Sequence, residues 1–175
     1  MIYNYLLDIF KFILAGVGVV YIAFYLIKPY LDRSEHMQLL ELKKAVSHQT
    51  LPLRLQAYER IVLFVERVNP ANMLIRLNEP GMSAGELHGL AVAEIRREFQ
   101  HNITQQIYVS GRAWTVVRRV KDDTLSIVTN AVKVLPENAT GLDLAKTILA
   151  HVSHLEDDPY EISLKIIKED MEGLL

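Results

Sequence analysis

The distribution of apolar positions changes character twice along the chain. From Phe12 to Ile27 the run "FILAGVGVVYIAFYLI" carries no charge, and "YNYLLDIFK" extends the apolar character upstream. Its sixteen residues rise about 24 Å as a helix, a little short of a hydrocarbon core of roughly 30 Å. The turns from Tyr5 to Lys11 close that gap if Lys11 snorkels outward. Asp8 and Lys11 are three apart on one helix face, where pairing lowers the insertion cost of each. Tyr3, Tyr5, Tyr25 and Tyr30 lie near the two ends, the level that amphipathic rings prefer. The pattern predicts a membrane-spanning helix over residues 1–30. It reads as an uncleaved signal anchor, because no Lys or Arg precedes Lys11 and "YLIKPY" offers no small-x-small cleavage site.

Beyond "KPYLDR", where Pro29 can bend the chain as it leaves the bilayer, the pattern becomes amphipathic. Residues 34–48, "SEHMQLLELKKAVSH", place Leu39, Leu42 and Val46 at coiled-coil spacing. They predict a juxtamembrane connector over 31–50, packing on its own domain or self-associating through that stripe. After "QTLP" a domain over 51–175 begins, with Pro52 in a first helical turn and Leu55, Tyr58, Ile61, Val62, Val65 and Val68 toward a core. Asn69 and Pro70 cap and start the short helix "ANMLIRL". Ser83 with Glu86 makes a capping box for a helix running through Tyr108. Ser110 caps the next, Thr140 with Asp143 opens another, and Asp158 with Pro159 opens the last. The apolar run "WTVV" has no hairpin turn beside it, and no internal repeat is visible. The fold class is therefore all-α: one N-terminal transmembrane helix, then a compact domain of five to six helices.

Composition and charge refine this picture. Half of the 175 residues are hydrophobic although 23% are charged, so the apolar excess is localised, and it lies in the N-terminal run. Lys28, Arg33, Lys43 and Lys44 follow the span, against Lys11 and the terminal amine before it. The positive-inside rule then predicts N-terminus out and the C-terminal domain in the cytoplasm. The absence of cysteine agrees with that compartment, and the sequons at Asn102 and Asn138 read as chance. From Ser34 to Pro136 there are 13 Lys and Arg against 10 Asp and Glu, whereas from Glu137 to Leu175 there are 3 against 9. The acidic C-terminal part reads first as a solvated face; a second reading has it point away from an anionic inner leaflet while the basic helices stay near it. "RRVK" at 118–121 is too short, and too soon followed by Asp122 and Asp123, to suggest nucleic acid.

Three stretches, "TLPLRLQAYERIVLFVERVNP", "EFQHNITQQIYVS" and "LPENATGLDLAKTIL", together resemble an uncharacterised family of small bacterial proteins with one N-terminal membrane helix and a helical cytoplasmic domain. The resemblance implies an inner-membrane location and the same topology. It implies no activity, cofactor or partner.

Chemistry-bearing residues are few. Glu98 and His101 form a Glu-x-x-His pair, but a di-iron bundle needs two such pairs plus two further carboxylates, and no second pair exists. His151 and His154, with Asp157 or Asp158 beyond, keep near one helix face. That geometry permits only a weak metal site, and His near a helix C-terminus already has the helix dipole as its reason. There is no G-x-S-x-G and no phosphate-cradling glycine loop. No catalytic residue, metal or cofactor is expected.

The polar segment "EFQHNITQQIY" at 98–108 is the remaining candidate. Continued as a helix, it places His101, Gln105 and Tyr108 on one face and Asn102 and Gln106 on the next. Phe99, Ile103 and Ile107 form the apolar stripe. Neutral amides beside such a stripe can hydrogen-bond helix ends and loops without the desolvation cost of a charge. The same groups can instead make a recognition surface for a partner or a second copy, or line a small-molecule site. His101 and Gln105 are expected inside, Asn102 and Gln106 more exposed. The function expected is a non-catalytic, membrane-anchored adaptor or accessory subunit, whose partners are the bilayer and another membrane-associated protein or a second copy. Two alternatives stand beside it: a ligand-binding or enzymatic domain with a pocket near His101 and Gln105, and a structural subunit packing through its span at Gly16 and Gly18.

Overall fold

The computed structural model describes residues 2–173; within the first fifty residues the side chains of 2–6, 8, 29–36, 38–40 and 42–48 fall outside the description. The chain divides into two units, Met1–Thr50 and Leu51–Leu175. Helices account for 84% of the chain, with no strand among the described residues. In chain order they are α1 (Ile2–Val68), α2 (Pro70–Leu77), α3 (Ala84–Asn102), a short 3-10 helix (Ile103–Ile107), α4 (Gly111–Lys133), α5 (Gly141–Ser153) and α6 (Pro159–Glu172).

The N-terminal unit is helical throughout its described residues, and its stretch Ile9–Lys28 is long and apolar enough to cross a membrane. No residue of that stretch is buried; Phe12 stands 77% exposed. The proposed pairing of Asp8 with Lys11 and the stripe Leu39, Leu42 and Val46 lie outside the described side chains. Contrary to expectation, no helix boundary falls after Pro29 or at Pro52: α1 runs through both. Each proline removes one backbone donor and crowds the carbonyl four residues earlier. Leu51, Leu53 and Arg54 beside Pro52 are strong helix formers, which lowers the net cost there.

The unit Leu51–Leu175 owes its core to the amphipathic period of its helices. Tyr58, Ile61, Val65 and Val68 of α1 are buried as their spacing predicts, joined by Ala57 and Phe64, while Leu55 and Val62 are half-buried. They meet Met73 and Leu74 of α2, Leu87 and Ile95 of α3, Trp114, Val117 and Val128 of α4, Leu144 and Ile148 of α5, and Ile167 of α6. Helix α3 packs against α2, α4 and α5, and α4 also packs against α5 and α6. Phe99 sits between two aromatic rings, edge-on to Phe64 at 6.2 Å and stacked on Trp114 at 5.6 Å.

Every cap expected from the sequence is formed. Asn69 accepts from the Ala71 amide, Ser83 from Glu86, Ser110 from Ala113, Thr140 from Asp143 and Asp158 from Tyr160. Where no repeat was visible in the sequence, two of these starts are tied side by side. The extended residues Ser83 and Thr140 pair in an isolated antiparallel bridge. The Ala84 amide donates to the Ala139 carbonyl at 2.9 Å and the Gly141 amide to Met82 at 2.7 Å. Gly141 is needed there, because a Cβ would lie 2.5 Å from the Asn78 Oδ1 and 3.3 Å from the Met82 carbonyl.

Candidate functional site

The segment 98–108 does not continue as one α-helix. Helix α3 ends at Asn102 and the chain tightens into the 3-10 helix Ile103–Ile107, so every side chain beyond Asn102 turns to a new angle. The expected partition is reversed for two residues. Asn102 is buried, 4% exposed, and its Nδ2 donates to the Glu98 carbonyl one turn back at 2.8 Å. His101 is exposed, Gln105 half-buried and Gln106 exposed. Ile107, expected on the apolar stripe, is turned out to solvent, while Val109 takes a buried place. Tyr108 is partly exposed; its carbonyl accepts from the Arg54 Nε at 3.2 Å.

The candidate residues therefore do not converge on one polar pocket. Beside them lies a half-buried junction, of which the sequence showed only the Ser110 helix cap. Asp170 Oδ2 of α6 accepts from the Tyr58 hydroxyl at 2.5 Å and from Ser110 Oγ at 2.6 Å. The Tyr58 oxygen accepts from the Ser110 amide at 3.1 Å, and Ser110 Oγ accepts from Ala113. Burial and the bond to Asp170 hold the Tyr58 phenol above its ordinary range. Residues from α1, α4 and α6 are thus locked together around one carboxylate.

A second buried polar group was not anticipated at all. Glu94 and Glu98, one turn apart on α3, are 5% and 6% exposed. Arg76 of α2 donates to Glu94 at 2.7 Å, Arg97 pairs with the other Glu94 oxygen, and Arg67 of α1 donates to Glu98 at 2.9 Å. Buried carboxylates without such partners would carry a large desolvation cost. The i, i+4 spacing of two glutamates facing arginines on neighbouring helices was the available signal. This arrangement also separates the Glu-x-x-His pair, since Glu98 turns inward to Arg67 while His101 faces solvent. His154 Nδ1 lies 2.6 Å from the Ala150 carbonyl of its own helix. Among the described residues no group of three His, Asp or Glu side chains is placed to hold a metal ion.

Open clefts lie instead along α4. One, of about 270 Å³, is walled by Val116, Val120, Pro159, Ile162 and Ile166, with Arg119 and Asp123 at its edge. At its base the Tyr160 hydroxyl and Thr124 Oγ1 are 2.8 Å apart, and Thr124 Oγ1 donates to the Val120 carbonyl at 2.7 Å. The threonine proton is thus committed, so Tyr160 donates to Thr124. Burial drives the Tyr160 phenol up to about 12. The second cleft, of about 510 Å³, has Ile127, Ala131, Val134, Leu155 and Pro159 among its walls, with Thr147 and His151 of α5 opposite. None of the residues His101, Asn102, Gln105, Gln106 or Tyr108 lines either cleft. Val134 and Leu155, apolar residues just past the ends of α4 and α5, were the sequence signal for the larger one.

An all-helical domain behind an apolar N-terminal helix is the class this architecture defines. The chain belongs to the family of unknown function DUF7935, whose profile matches residues 4–174. No curated protein and no solved structure matches it.

Proposed function

We propose that the protein is a single-pass, non-catalytic adaptor or accessory subunit of a membrane-associated assembly in the bacterial inner membrane, with its N-terminus outside and the unit Leu51–Leu175 in the cytoplasm. The observation that carries this reading is the helix stretch Ile9–Lys28, uncharged between Lys11 and Lys28 and with no residue buried. Twenty such residues as a helix match a hydrocarbon core of about 30 Å. Lys and Arg are concentrated after the stretch, which supports the orientation. A tether of this kind raises the local concentration of the domain at the membrane, a benefit to a scaffold. The ligand-site alternative draws less support, since His101 is exposed and neither it nor Gln105 lines the clefts of α4. The purely structural alternative rests on Gly16, which leaves a shallow concavity of about 510 Å³ among Ile13, Val17, Val20, Tyr21 and Phe24.

The test is fractionation with affinity purification from native membranes. The full chain is expected to resist alkaline extraction, and a reporter active only in the cytoplasm is expected to work when fused after Leu175. A discrete protein is expected to co-purify, and to be retained in a Gly16→Leu variant. A soluble chain would overturn the anchor, activity only of an exported-side reporter would overturn the orientation, and the absence of any co-purifying protein would overturn the adaptor reading.

A further inference from the structure

Resting on the adaptor reading, we infer that the larger cleft along α4 is the docking groove for a basic amphipathic helix of the partner protein. One wall is Asp123, Ser126, Ile127, Asn130 and Ala131 of α4, with Val134 just past its end. From first to last these residues span about three turns, on the order of 16 Å of helix axis, so the cleft is an elongated trough. Its apolar positions on α4 recur with the helical period, and Leu155 and Pro159 face them from the α5–α6 segment. Val134 is 76% exposed and Leu155 is also exposed, so apolar surface stands open at two points of the trough. A helix laid in such a trough buries that surface with side chains at i, i+3, i+4 and i+7.

Charge selects the kind of helix. No lysine or arginine lines the trough, whereas Asp123 does. Between its lining residues Leu155 and Pro159 the chain reads Glu156, Asp157, Asp158. Asp158 is engaged with the Tyr160 amide and Asp123 with Arg119, while Glu156 and Asp157 are exposed. An incoming helix with acidic flanks would meet like charge at this end; one carrying Lys or Arg beside its apolar stripe meets opposite charge. Complementarity of this kind sets partner choice and speeds encounter. A helix so recognised is apolar on one face and basic on its borders.

The experiment uses the full chain in bilayer discs of phosphatidylcholine, with empty discs as reference. The probe is a fluorescent peptide of about 16 residues, roughly 24 Å as a helix, with leucine on one face and lysine on the other. A second peptide has glutamate in place of lysine. The lysine peptide is expected to bind at least tenfold more tightly than the glutamate peptide. Its affinity should fall at least tenfold in Val134→Asp and in the double variant Glu156→Lys with Asp157→Lys, and stay unchanged in Ile75→Asp, an exposed α2 position. Equal binding of the two peptides, or no loss in the groove variants, overturns the proposal. The altered residues are exposed, so thermal melts should match the wild type; should Val134→Asp fail to fold, the charge-reversal pair decides alone. In cells, a photoreactive side chain at position 134 should capture a basic amphipathic segment of another protein; adducts with a second copy or with lipid overturn it. Should a partner co-purify equally with wild type and groove variants, the adaptor reading stands and the groove assignment falls.

Discussion

Helix α1 contains two apolar-rich stretches in opposite circumstances. In Ile9–Lys28 Phe12, Val20, Phe24 and Tyr25 are all exposed; in the stretch from Ala57 to Val68, Tyr58, Ile61, Phe64 and Val65 are wholly buried. The second stretch alternates those residues with Glu59, Arg60, Glu66 and Arg67, which face water. The first carries no charge between Lys11 and Lys28. A helix that must bury one stripe needs a polar face, whereas a helix surrounded by hydrocarbon needs none. The contrast teaches that the two stretches differ in the placing of charge as well as in apolar content: one keeps a polar face, the other has none between its two lysines.

The contrast can be broken most sharply by deleting one ring from each stretch. Phe64→Ala should cost the domain about 3–5 kcal/mol, since it leaves a cavity beside Phe99. Phe12→Ala should leave the thermal unfolding of the domain unchanged. Melts of both variants in the same detergent provide the measurement, and equal destabilisation would erase the distinction.

A smaller effect sharpens what burial does to polar groups inside the domain. Burial raises the Tyr160 phenol from its ordinary 10.0 to about 12. A raised folded value means stability fully present below pH 10 and lost as pH climbs through about 12. The loss is on the order of 3 kcal/mol at most. Absorbance at 295 nm, compared between wild type and Tyr160→Phe, should show one phenol ionising only near that upper limit. Ionisation of that phenol at ordinary pH would contradict its burial.

Smallest is the comparison of two neighbours. Asn102→Ala should cost roughly 1–3 kcal/mol, because it removes a buried side-chain hydrogen bond and the volume that makes it. His101→Ala should change stability by about 0.5 kcal/mol or less, as exposed positions do. Equal melts of the two would mean that the 3-10 turn does not partition them as described.

Much of the fold was legible because its signals are local. Ser83 with Glu86 and Thr140 with Asp143 satisfy amides within three residues, so a short window of sequence contains both partners. The segment around Asn102 was misread for the opposite reason. Its inward and outward faces follow from where α3 stops, one turn beyond Phe99, which packs between Phe64 and Trp114, residues 35 and 15 positions away. Helical periodicity carried past that point assigns Ile107 to the core, and the structure puts Val109 there instead.

The sequence by itself determined the all-helical class, the caps that start α2 to α6 and the apolar stretch Ile9–Lys28, because each is set by side chains and amides a few residues apart. Only the tertiary structure decided that Glu94 and Glu98 are buried against arginines of α1 and α2, that Asp170 joins Tyr58 to Ser110, and that a trough opens beside α4. Those features join residues 18 to 112 positions apart. Their energies arise from desolvation and packing, and both exist only once the helices have met.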